Sequence, residues 1–222
     1  MTDNKSKAKK MSELKIGIYG GTFAPVHIGH IRAAYSFLTY CELDKLFIMP
    51  AFIPPHKSAT TGDDPRQRLE MLKIAFSPLP YYDDRILISD YEIRQKGKSF
   101  TYLTLEHFSF ISKDITLLVG TDNFLTLENW KNYREIFSLA KIAHAVRPEN
   151  GEISKKIEET KERYEREYGA TVIDVPMTPT EISSTEIRRL IKERKDTSRF
   201  LPYEVRDYIE YNHIYGGNGY EI

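Results

Sequence analysis

The chain has 222 residues, 41% apolar and 29% charged, and its formal net charge is +0. That length suits one large domain and can bury a substantial core without disulfides or a structural metal. The charge balance gives no sign of a nucleic-acid or acidic-membrane partner, although local basic sites fit under a neutral total. The single cysteine, Cys41, rules out an internal disulfide, and no apolar run approaches the ~18 residues of a membrane-spanning helix.

The start, "MTDNKSKAKK", is polar throughout and lacks the apolar middle of a signal peptide. Residues 1–13 read as a disordered tail, with Met11 a second candidate start, and 14–222 as one domain. One cysteine and no leader point to a reducing, cytoplasmic setting. Then come "KIGIYG" (Lys15–Gly20), a strand; Ile28–Tyr40, a helix; "KLFIMP" (Lys45–Pro50), a strand; and Pro65–Phe76, a helix. "DRILIS" (Asp84–Ser89), "DITLLVG" (Asp114–Gly120), "KIAHAV" (Lys141–Val146) and "TVIDVP" (Thr171–Pro176) are further strands, separated by helices over Thr101–Phe110, Tyr133–Leu139 and Ile153–Tyr168. Near-continuous apolar strands are those covered on both faces. Their alternation with helices predicts an α/β class, a Rossmann-like doubly wound parallel sheet. Two helices, Ser184–Lys195 and Pro202–Asn212, follow with no strand between and form a C-terminal helical extension from about residue 183. Ligands of such a sheet sit outside the carboxyl ends of its strands. The charge-rich "SKKIEETKERYEREYG" reads as a solvated helix face.

"KIGIYGGTFAPVHIGH" (Lys15–His30) places Gly20 and Gly21 where the first strand ends. Glycine there lets backbone turn sharply and approach a ligand. The helix that starts at Ile28 adds a dipole end and amide donors, an anion site in outline. Neither GxGxxG nor GxxxxGK[ST] is present. His27 and His30 bracket the first helical turn on one side, where both can donate to phosphate oxygens. The plain alternative is a pair of loop histidines with satisfied ring nitrogens. Elsewhere, "PPHK" (Pro54–Lys57) presents His56 and Lys57 at the end of a stiff loop. Ser99 and Thr101 read as a helix N-cap region. Gly120 ends a strand, and Trp130, the only tryptophan, offers a flat ring for stacking or a core plug. "EISSTEIRRLI" has capping-box spacing from Ser183 to Glu186, and such a helix start can still hold phosphate. His107, His144 and His213 read as structural.

"GGTFAPVHIGH" resembles the signature of the HxGH nucleotidylyltransferase superfamily. "HIGH" also occurs in class I aminoacyl-tRNA synthetases, but "KMSE" (Lys10–Glu13) precedes it here, whereas the synthetase lysine motif comes long after. Over Lys15–Tyr215 the chain resembles the bacterial nicotinate-mononucleotide adenylyltransferases, and the matches include "GKSFTYLTLEHF", "LLVGTDNFLTLENWKNYREI" and "LPYEVRDYIEYNHIY". The resemblance implies catalytic roles for His27, His30, Lys57 and Arg188. It implies ATP or phosphate contacts from Gly20, Gly21, Thr22, Phe23, His56, Gly120, Asp122, Ile182, Ser183, Ser184 and Thr185. It places nicotinate mononucleotide against Thr101, the Trp130 ring and the backbone N–H of Lys131.

The implied reaction joins ATP and nicotinate mononucleotide to give nicotinate adenine dinucleotide and pyrophosphate. The attacking phosphate is already ionised, so positioning and charge stabilisation carry the chemistry. Mg²⁺ is expected on the triphosphate, held by substrate and water, with no protein metal cage. Alternatives are a nicotinamide-mononucleotide or phosphopantetheine acceptor, or a non-catalytic nucleotide-binding regulator. Nucleic acid and membrane are not expected partners, and the sequence carries no signature of oligomeric state. The chain departs from the family's usual aspartates at Ala24 and Leu103, and from its tyrosine at Phe100.

Overall fold

The apolar runs form β1 (Lys15–Gly21), β2 (Lys45–Pro50), β3 (Ile86–Ile88), β4 (Asp114–Gly120), β5 (Lys141–Val146) and β6 (Val172–Pro176) in a computed structural model that describes residues 10–54, 63–77, 82–146, 150–178 and 182–216. All pair in parallel, in the order β3-β2-β1-β4-β5-β6. This is the doubly wound order in which the chain leaves β1 in one direction and returns beyond it in the other. The switch point falls between β1 and β4, whose carboxyl ends carry Gly20–Gly21 and Gly120.

The helices are α1 (Ile28–Tyr40), α2 (Pro65–Phe76), α3 (Tyr91–Gln95), α4 (Thr101–Ser109), α5 (Thr121–Leu125), α6 (Tyr133–Leu139), α7 (Gly151–Tyr168), α8 (Ser184–Lys192) and α9 (Tyr203–Tyr211). Two apolar cores cover the two sheet faces, as the uninterrupted hydrophobicity of the strands requires. One joins α1, α2, α8 and α9 through Phe37, Met71, Ile187 and Val205. The other joins α4 to α7 through Phe108, Phe124, Phe137 and Tyr164. Within β4, Leu117 and Val119 face the second core and Leu118 the first, the period of two of a strand. Gly17 permits close packing of α1: a Cβ there would sit 2.4 Å from Leu43 and 2.8 Å from Phe37. None of the described helices is long and apolar enough to cross a membrane.

Several boundaries differ from those predicted. β3 keeps only three residues, because Asp83 to Arg85 form a turn in which the Asp83 carbonyl accepts the Ile86 N–H at 2.9 Å. α3 and α5, five residues each, are too short to display a helical period. α4 ends one residue early, and its N-cap is Phe100 rather than Ser99 or Thr101. α7 begins at Gly151 because the Asn150 side chain accepts the Ile153 N–H. α8 stops at Lys192, ahead of Arg194 at φ +56. Pro202 caps α9 from outside it. Of the expected tail, residues 1–9 lie outside the described residues, and Met11–Glu13 form a single 3₁₀ turn.

Candidate active site

At the switch point the backbone lies open. A Cβ on Gly20 or on Gly120 would meet nothing within 4 Å, whereas one on Gly21 would come within 2.8 Å of the Phe23 ring, which folds back across it. Phe23 has φ +52, a left-handed conformation that costs about 1–2 kcal/mol for a residue with a Cβ. Burial of its ring holds it there.

His27 is the N-cap of α1. Its Nδ1 accepts the Gly29 N–H at 3.1 Å, and Nδ1 of His30 accepts the His27 N–H at 3.2 Å. The two imidazoles thus form a reciprocal capping box, with ring centroids 3.8 Å apart. A backbone N–H can donate only to an unprotonated ring nitrogen, so this geometry assigns the ring proton of each histidine to Nε2. The Ile28 N–H donates to the Phe200 carbonyl at 2.9 Å. The amides of Ile28 and Gly29 are therefore engaged inside the protein, contrary to the expectation of open N–H groups at this helix start.

The loop before α1 is tied to the far end of the chain. The Ser184 hydroxyl donates to the Pro25 carbonyl at 3.0 Å. Arg188 donates from Nη1 to the Ala24 carbonyl at 2.6 Å and from Nη2 to the Thr185 hydroxyl at 3.2 Å. Ser183 caps α8, accepting the Glu186 N–H at 3.2 Å. The returning half of that expected capping box does not form, because the Glu186 carboxylate forks onto Arg189 at 2.6 and 2.9 Å.

A cleft of about 320 Å³ opens outside β1 and β4. One wall is the Gly20–Phe23 backbone with His30, and the other carries Thr101, Thr104, Asn123 and Trp130. Glu92 and Ser99 also line it. Glu92 is buried and accepts the Thr104 hydroxyl at 2.8 Å. Burial pushes its carboxyl above the ordinary carboxylate range, against the hydrogen bonds from Thr104 and Ser99. The Ser99 hydroxyl also accepts the Phe52 N–H at 2.8 Å, which pins the entry of α4 to the exit of β2. Across Tyr19 a smaller cleft, about 70 Å³, is lined by Gly29, Ala33, Ala145 and Met177.

A family model described as cytidylyltransferase-like matches residues 18–190. A Clostridium perfringens protein (strain 13) named probable nicotinate-nucleotide adenylyltransferase is 39% identical over 203 residues, 90% of this chain and 98% of its own. One of the same name from Clostridium botulinum (strain Eklund 17B) is 36% identical over 201 residues, with the same shares. The chain belongs to the nicotinate-nucleotide adenylyltransferases of the cytidylyltransferase-like family. The fold is similar to that of Plasmodium falciparum nicotinic acid mononucleotide adenylyltransferase complexed with NaAD: TM-score 0.71 over 91% of this chain and 98% of that one, at 17% identity.

In this adenylyltransferase chain Gly20, Gly21, Thr22, Phe23, His30, Gly120, Thr101 and Trp130 converge on the larger cleft. His27 stands against His30. Ser183, Ser184, Thr185 and Arg188 sit at the start of α8 and line neither cleft, and Ile182 packs against the first core. Asp122 is exposed on the first turn of α5 and lines neither cleft, while its neighbour Asn123 lines the larger. Lys131 lays its ammonium 4.6 Å from the Phe100 ring centroid, and its backbone N–H has no hydrogen-bond partner among the described residues. His56 and Lys57 lie outside the described residues; Pro54, before them, lines the cleft. Sequence reasoning missed Glu92, Ser99, Thr104 and Asn123 as cleft residues. The first three come together only because "DYEIRQ" folds as the short α3, which no periodicity announces. His144, read as structural, is fully buried between Thr121 (3.3 Å) and Asp174 (3.2 Å).

Proposed function

We propose that this chain transfers AMP from ATP to nicotinate mononucleotide, releasing pyrophosphate and nicotinate adenine dinucleotide in the cytoplasm. The observation that carries the reading is the histidine capping box at the mouth of a switch-point cleft whose far wall bears Thr101 and Trp130. The box fixes both imidazoles by their Nδ1 atoms, so that their Nε2–H groups are oriented as donors for charge that develops on phosphate oxygens. A phosphate oxygen of the mononucleotide attacks the α-phosphorus of ATP, the bond from that phosphorus to the β-bridging oxygen breaks, and pyrophosphate leaves. No proton has to move, so placement is the protein's task.

Trp130 offers its ring to the pyridine, and the Lys131 N–H and Thr101 hydroxyl are donors for the nicotinate carboxylate. Arg188, Ser183, Ser184 and Thr185 brace the triphosphate side, with His56 and Lys57 supplying further donors. Asp122 is the candidate for a ribose hydroxyl. The smaller cleft, with alanine and methionine walls, suits the flat ring face of adenine. Among the described residues no cluster of His, Cys, Asp or Glu converges to hold a metal. Mg²⁺ would enter with ATP, carried on triphosphate oxygens, where it would offset phosphate charge.

The test is pyrophosphate release from ATP with nicotinate mononucleotide, nicotinamide mononucleotide or phosphopantetheine as acceptor. Turnover fastest with the nicotinate compound is expected. Preference for either other acceptor would reassign the substrate, and ATP binding without pyrophosphate from any acceptor would leave a nucleotide-binding protein.

A further inference from the structure

Arg68 lies in the first turns of α2 with only 3% of its surface exposed. Its Nη1 donates to the Ala51 carbonyl at 2.6 Å and the Thr22 carbonyl at 2.9 Å, and its Nη2 to the Phe52 carbonyl at 3.2 Å. Nε lies 3.5 Å from Asp63 Oδ1, an ion-pair contact without hydrogen-bond alignment. The other Asp63 oxygen accepts the Tyr215 hydroxyl. Tyr215 is itself buried and holds φ +61, a left-handed conformation that persists in a bulky residue only where its surroundings over-determine it. Burial and the Asp63 charge together hold its phenol well above its ordinary value.

A buried cation is costly, and an apolar side chain of similar volume would often serve stability equally well. What an apolar chain could not do is draw together carbonyls from two loops. Thr22 follows the glycines of the phosphate loop, and Ala51 and Phe52 follow β2; Thr22 and Ala51 both line the larger cleft. We infer that Arg68 is a positioning residue for the nucleotide side of this site, and that Tyr215, through Asp63, holds Arg68 in register, so that the end of the chain sets the geometry of the phosphate loop. This rests on the adenylyl-transfer reading above.

The test uses the full chain with Arg68→Lys and Tyr215→Phe. Lysine keeps the charge but cannot span three carbonyls in a planar fork. Phenylalanine removes one hydroxyl and leaves the packing. Expected are falls in kcat/KM for ATP of about a hundredfold in R68K and about tenfold in Y215F, the scale of losses when reacting groups are displaced by around an ångström. Both are measured well below each variant's melting temperature. A merely structural role lowers the melting temperature and leaves kcat and the KM for ATP at wild-type values in folded Y215F; that result overturns the inference. Affinity for α,β-methylene-ATP, measured by calorimetry, decides the case without turnover. Weakening in Y215F supports the inference, and unchanged affinity together with unchanged kinetics overturns it. If the wild type turns over no acceptor, the adenylyl-transfer reading fails, while α,β-methylene-ATP affinity in Y215F and R68K still reports on the link from Tyr215 through Asp63 to Arg68.

Discussion

The histidine capping box gives His30 two separable duties. Its Nδ1 satisfies the His27 N–H, and under the proposed reaction its Nε2–H is the donor toward substrate. His30→Ala removes both. Losing an N-terminal cap costs about 1 kcal/mol, which in a chain of this size lowers the melting temperature by about 2–4 °C. Losing one preorganised donor to developing charge costs about 2.7–4 kcal/mol, or roughly 10²–10³ in kcat. His30→Gln separates the two. Glutamine at the third helical position is the ordinary capping-box partner, and its carbonyl can accept the His27 N–H, but it brings no imidazole Nε2–H. H30Q should therefore recover most of the melting temperature lost in H30A while kcat stays at least about a hundredfold down. Calorimetry and steady-state pyrophosphate release on the wild type and both variants make the comparison. Near-normal kcat in H30A would refute the donor role and leave His30 a helix cap, whereas recovery of kcat in H30Q alone would show the glutamine amide N–H standing in for the imidazole donor.

Trp130→Ala should raise the KM for nicotinate mononucleotide about tenfold, since stacking of a base on an aromatic ring is worth about 1–3 kcal/mol; an equal rise for ATP would contradict the stacking. Ser184→Ala, which deletes the bond to the Pro25 carbonyl, should cost about 1 kcal/mol in urea denaturation, and no loss would mean that this tie is not felt. Glu92 has its native carboxyl raised by burial, so its contribution to stability is fully present below the unfolded value near pH 4 and is lost as pH rises through the higher native one. The stability of Glu92→Gln relative to wild type should therefore improve as pH rises above the unfolded value of about 4.5, and a gap that ignores pH would refute that shift. Ala24→Asp should lower the melting temperature without improving turnover, because position 24 is 1% exposed and already supplies Arg188 with its carbonyl; sharply faster turnover would show that a carboxylate is missing.

The layers of this fold were legible because each long element carries its own period. Ile28–Tyr40 and Pro65–Phe76 have the bounds that pattern predicts, and so do β2, β4 and β5. Short pieces were not legible: α3 and α5 fall below one and a half turns. At the site, residues announced by glycine, histidine or tryptophan were visible, because unusual residues at a strand end have few structural explanations. Glu92, Thr104 and Arg68 were not. A glutamate or arginine in a helix reads as solvent-facing until the tertiary fold buries it. The side-chain partners of "ISSTEIRRLI" were equally hidden, since Pro25 and Ser184 are 159 residues apart.

Four carbonyls at the end of β1 and in the loop after it are engaged by donors from other parts of the chain. The Gly21 carbonyl takes the Ala51 N–H at 2.9 Å, Thr22 takes Arg68, Ala24 takes Arg188 and Pro25 takes Ser184. An anionic triphosphate is repelled by the oxygen end of a peptide dipole and attracted by the hydrogen end. A loop that must approach phosphate closely therefore has to commit its oxygens elsewhere, and here β2's exit, α2 and α8 supply the donors. Each brace uses a backbone oxygen, which any residue provides, so the side chain at position 24 is free to be alanine. The braces that α8 supplies depend on side chains at fixed positions, Ser184 and Arg188, and these are the residues in which "ISSTEIR" had singled itself out.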